Sequence, residues 1–86
     1  MSLPDLEERL WILRELCRNR RLAGNVDFVL VARCTEGKSE SDLAQLVDQT
    51  QLNAARREPV ITQHDFQMAM RDAGIIPYPP ASSSGS

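Results

Sequence analysis

An all-α fold built from short capped helices is what this sequence predicts, and three observations predict it. Apolar residues recur at helical spacing in three stretches, Leu6-Leu10-Leu13-Cys17, Leu43-Leu46-Val47-Ala54 and Phe66-Ala69-Met70-Ala73. A helix-capping residue opens each stretch (Asp5, Ser39 and Thr62), with Glu8, Asp42 or Asp65 three positions further on. That is the spacing at which a cap and the third helical residue exchange side-chain-to-backbone hydrogen bonds. Breakers then separate the stretches: Gly24-Asn25, Gly37, Pro59 and Gly74.

The first helix is expected from about Asp5 to Asn19, with Trp11 and Leu16 widening its stripe and Arg9, Arg14, Glu15 and Arg18 mostly on the other face. Arg18, Arg20 and Arg21 suit the negative end of its dipole. Val26 to Ala32 is ambiguous, since Val and Phe favour a strand whereas Asp27 would cap a short helix running to Cys34. Composition leaves both open. Gly37 supplies a left-handed stop after it. The third helix starts at Ser39, carries Thr50, Leu52 and Ala55 beside its apolar stripe, and has Gln45, Asp48, Gln49, Gln51 and Asn53 on its polar side. It is expected to end near Arg57 or Glu58, because Pro59 disfavours helix in the residue before it. Thr62 opens the fourth helix, with Ile61 and Phe66 in the positions of a hydrophobic staple, and Gly74 closes it. The helical unit is expected to span 1–76. Residues 77–86 are expected to be a disordered tail, because Pro77, Pro79 and Pro80 favour extended conformation and the Ser/Gly-rich end behaves as flexible linker.

At 86 residues the chain is one domain at most, with a modest core. A formal charge of −2, with both signs interspersed, argues against a nucleic-acid partner. No apolar run is long enough to span a bilayer and no signal peptide is visible, so an intracellular, cytoplasmic chain without a membrane partner is expected. Cys17 and Cys34 are not a disulfide framework, and as free thiols they act as small hydrophobes. With His64 they are too widely spaced for a metal site. His64 itself reads as a surface residue with no nucleophile to serve, and Ser39 as a cap rather than a nucleophile. There is no phosphate-cradling Gly-x-x-x-x-Gly-Lys-Ser/Thr loop, and phosphoryl transfer needs such parts. No catalytic residue is therefore expected in this chain.

Several short motifs recur in a fixed order: Leu3-Pro4-Asp5, Arg9 and Ile12-Leu13, then Val26-Asp27-Phe28, Ala32 and Thr35-Glu36-Gly37. Gly37-Lys38-Ser39-Glu40-Ser41-Asp42-Leu43 follows, then Ala54-Ala55-Arg56-Arg57, Ile61-Thr62, and Asp65-Phe66 with Ala69. Over about residues 3–73 this resembles the C-terminal helical lid of AAA family (AAA+) ATPases of the proteasomal-ATPase, membrane AAA protease and valosin-like type. The resemblance implies a four-helix lid-type bundle and hence a helix, not a strand, after Asp27. It also implies that Gly37, Ser39, Glu40, Ser41 and Asp42 lie near a nucleotide. Glu40-Ser41 stand where the family has Gly-Ala, and Lys38 where it has an aromatic. An acidic side chain beside a polyphosphate is unfavourable unless it points away or is paired, so weaker nucleotide contact is expected.

The function the resemblance implies is a lid that packs over the nucleotide site and passes ATP-driven motion between ring subunits, without catalysis of its own. ATP or ADP with Mg would be held mainly by a core domain outside this chain. That core and the neighbouring ring subunits would be the partners, and the isolated chain a monomer. Trp11, Arg14, Arg56 and Arg57 are the interface candidates, with core packing as the other reading of Trp11 and helix-end compensation as that of Arg56 and Arg57. Leu6, Leu10, Leu13, Phe28, Leu43, Leu46, Val47, Phe66 and Met70 are expected to hold the bundle. The alternative function is a free-standing, histone-fold-like helical association module, which would be an obligate heterodimer.

Overall fold

The computed structural model describes residues 2–56 and 60–75. It contains four helices, α1 (Leu6–Leu16), α2 (Phe28–Cys34), α3 (Glu40–Ala55) and α4 (Gln63–Asp72). Among the described residues the one β feature is a single parallel bridge between Leu22 and Ile61. The all-α expectation holds, and the ambiguous second segment is a helix. Asp27 accepts a hydrogen bond from the Leu30 N–H at 3.1 Å, and the turn that follows buries Val31 and Ala32 against the rest of the bundle. A cap and one buried face therefore outweigh the strand preference of the Val-rich run.

The other three helices each open with a complete capping box, from Asp5 to Glu8, Ser39 to Asp42 and Thr62 to Asp65. Helix α1 is shorter than expected. It stops at Leu16, and the chain then tightens, with Arg18 N–H donating to Glu15 at 3.2 Å and Arg20 N–H to Cys17 at 3.0 Å. Arg20 folds back on this end, donating to the Leu16 carbonyl at 3.1 Å and to Asp48 on α3 at 3.1 Å. Helix α3 ends at Ala55 with Arg56 as its cap. The expectations for Arg57, Glu58 and Pro59, and for the tail at 77–86, lie outside the described residues.

Helix α3 packs against both α1 and α4, and α1 packs against α2. The core joins Leu13, Val31, Leu43, Val47, Ile61, Phe66 and Met70, all fully buried. The Phe28 and Phe66 rings meet edge to face, centroids 6.1 Å apart. The link after α1 is also stitched to the link before α4. Ala23 N–H donates to the Ile61 carbonyl at 2.8 Å, Ile61 N–H to that of Arg21 at 2.9 Å, and Asp27 N–H to the Gln63 side chain at 2.8 Å.

Three expectations about the core need correction. Leu6 is 39% exposed, because it sits in the first turn of α1, at the end of the bundle. Leu52 is 61% exposed, and Ala55 is exposed as well. Leu52 lies about two and a half turns beyond Leu43, which puts it on the opposite side of α3. Arg9, expected on the polar face of α1, is 5% exposed.

Candidate functional site

The turn between α2 and α3 brings the five residues singled out by sequence onto one corner of the molecule. Gly37 has φ +84°. A Cβ there would meet nothing within 4 Å, so the position needs glycine for its backbone conformation and not for space. Ser39 caps α3, its hydroxyl accepting from the Asp42 N–H at 3.2 Å. Asp42 returns the contact, accepting from the Ser39 N–H at 3.1 Å and from its hydroxyl at 3.0 Å. These bonds to Ser39 favour the ionised form and hold the Asp42 carboxyl below the usual carboxylate range. Glu40 and Ser41 are exposed in the first turn of α3. Of the acidic pair, Asp42 is therefore committed to the helix start, and both carboxylates offset the positive end of the helix dipole.

Two open grooves flank this corner. One, of about 380 Å³, follows the α3–α4 seam from Lys38 and Asp42 past Gln49 to Asp72 and Ile75. The other, of about 550 Å³, lies where the start of α1 meets the end of α2, and is lined by Pro4, Asp5, Leu6, Arg9, Arg33, Glu36 and Gly37. Sequence reasoning missed Arg9. The signal was present: Arg9 precedes Leu13 by four residues and Leu16 by seven, which places it on the inward side of an α-helix.

The interface candidates do not cluster. Trp11 is 64% exposed, so it is not a core residue. It stands in the middle of the outer face of α1, with the exposed Glu7, Glu8, Arg14 and Glu15 one turn away along the helix. Arg56 is exposed at the C-terminal cap of α3, and Arg57 lies outside the described residues. His64 is exposed in the first turn of α4. Cys17 is buried, which pushes its thiol up to about 11 even though Arg20 pulls the other way.

An all-α bundle with three boxed helix starts and a left-handed glycine before α3 is the class of structure that the lid resemblance implied. The chain is 48% identical over 77 residues to the ATP-dependent zinc metalloprotease FtsH of Acidimicrobium ferrooxidans, a match covering 88% of this chain and 12% of that protein. It is 46% identical over 77 residues to the FtsH of Acidothermus cellulolyticus, covering 88% of this chain and 11% of the relative. With the FtsH of Neorickettsia risticii it shares 41% over 70 residues, covering 80% and 11%. No family model matches. The chain belongs to the AAA+ membrane-protease family, as a helical region of it. It spans only about a tenth of the length of the curated relatives it matches.

Proposed function

We propose that this chain is the small helical lid of an AAA+ ATPase, which packs over the nucleotide site and relays ATP-driven motion between ring subunits without chemistry of its own. The 48% identity to an ATP-dependent protease over 77 residues carries this reading, and the four-helix bundle supports it. Gly37, Ser39, Glu40, Ser41 and Asp42 form the nucleotide side. With Asp42 tied to Ser39 and Glu40 adding negative charge, this corner contributes little to holding a polyphosphate. ATP or ADP with Mg is then bound mainly by the parent's core domain. The lid's role is hinge-type closure, in which a small rotation at the core changes the packing of a rigid helical unit on its neighbours. Its partners are the core of the same parent and the adjacent ring subunits, in an intracellular, cytoplasmic setting. No described helix is long and apolar enough to cross a membrane.

A graft tests this. Residues 3–75 replace the homologous segment of the Acidimicrobium ferrooxidans protease, and ATP hydrolysis and ring assembly are measured. Assembly with hydrolysis of the same order as the parent is expected. A graft that binds nucleotide but neither assembles nor hydrolyses it would count against the lid reading.

A further inference from the structure

Arg9 is a buried cation, 5% exposed. Its Nε donates to the Ala32 carbonyl at 2.9 Å and one Nη to the Pro4 carbonyl at 3.0 Å. The ion pairs among the described residues are Arg18 with Glu15 and Arg20 with Asp48, so no carboxylate there neutralises Arg9. A guanidinium taken out of water with only carbonyl partners is costly, and a matched carboxylate is what relieves that cost. Arg9 also lines the open groove at the start of α1, of about 550 Å³. Leu6, on the rim of that groove, is 39% exposed, and Leu3, next in the chain to the rim residue Pro4, is 55% exposed.

Resting on the lid reading, we infer that this groove is the seat of an acidic side chain, set in an apolar surface of the parent's ATPase core, which pairs with Arg9. Two observations favour a protein carboxylate over a free phosphate or nucleotide. Asp5 and Glu36 stand on the same rim and offset the formal charges of Arg9 and Arg33, so the groove has no net positive charge to hold a polyphosphate, whereas one carboxylate needs only the single Arg9 guanidinium. The exposed Leu6 on the rim gains apolar cover from a protein surface and not from an ion. Guanidinium and carboxylate match in planar, two-point geometry. Since the relatives are far longer than this chain, the rest of the parent provides the occupant.

The test uses the grafted Acidimicrobium ferrooxidans protease. A photoreactive benzoylphenylalanine replaces Leu6, and adducts are mapped by mass spectrometry after irradiation. Adducts on a core-domain peptide bearing Asp or Glu are expected. Substituting that acid by its amide together with Arg9→Met should then be non-additive in ATP hydrolysis by about fivefold or more. Because Arg9→Met also removes two hydrogen bonds within the bundle, Leu6→Ser provides a second variant whose exposed position leaves the fold intact. Leu6→Ser should lower hydrolysis in the graft while leaving the melting curve of the isolated chain unchanged. Adducts confined to the protease domain or to this segment, or an additive cycle, would each overturn the inference. An active unsubstituted graft with one of those outcomes sinks this inference alone, whereas an inactive unsubstituted graft counts against the lid reading and this inference together.

Discussion

Asp42 accepts hydrogen bonds from both the N–H and the hydroxyl of Ser39, and the folded state therefore keeps its carboxyl ionised to lower pH than the unfolded chain does. The depressed folded value fixes the sign of the effect. The stabilisation is present above the unfolded value near ~4 and is lost as pH falls through the folded one. Asp42→Asn should thus lower the melting temperature at neutral pH, and the gap to the parent chain should narrow in acid. A gap that stays constant through the acid titration would show that the charge on Asp42 contributes nothing. Cys17 gives the opposite case. Burial raises its thiol to about 11, so its contribution is fully present below the unfolded thiol value near ~8.5 and fades as pH rises above it. In a Cys34→Ser chain at mild alkaline pH, the remaining thiol should react with a disulfide reagent only when urea opens the fold. Rapid native-state reaction would place Cys17 nearer the surface than its 1% exposure implies. Arg9, one of the residues that sequence placed wrongly, shows where single-residue reading fails. Charge alone put it outside, while its helical phase, the distant Ala32 carbonyl and the nearby Pro4 carbonyl put it inside.

Helix ends account for most of what was legible in this chain. The capping boxes at Asp5, Ser39 and Thr62 stand where the residue types placed them, because a cap is a local device whose partner lies three positions away. The stop of α4 is equally local. Gly74 has φ +79°, its N–H donates to the Arg71 carbonyl at 3.0 Å, and Ile75 N–H donates to that of Met70 at 2.8 Å, the paired bonds of a Schellman motif. A methyl group at Gly74 would meet nothing within 4 Å, so Gly74→Ala should cost only the backbone conformation, about 1 kcal/mol in urea denaturation. A neutral substitution would mean that the last turn frays in the native state. Helix α2 was not legible in the same way. Its Val-rich run and its Asp27 cap point to different structures, and burial of Val31 and Ala32 decides between them. The early end of α1 was not legible either: Arg20 folds back on the Leu16 carbonyl and also reaches Asp48 on α3, a contact with no local signature.

The whole molecule is two helical pairs, α1 with α2 and α3 with α4, joined where α1 packs on α3. The edge-to-face contact of Phe28 with Phe66 adds a second tie between the pairs, and the bridge between Leu22 and Ile61 a third. None of these ties has a local signature, which is why the sequence shows the helices and the turn before α3 but not how the halves are fastened. The lid role proposed above requires the chain to move as one body, and rigidity of that kind requires the ties to open only when the hydrophobic core does. Native-state hydrogen exchange reads this directly. The amides of Ala23 and Ile61, which make the bridge at 2.8 and 2.9 Å, should exchange with the same free energy and the same urea dependence as the buried Val47 amide, because both would then need global unfolding. Exchange at Ala23 and Ile61 that is faster and insensitive to urea would mean that the two pairs part while each stays folded. The chain would then be a hinged pair of hairpins, and motion imposed on α1 would dissipate at the bridge before it reached α4.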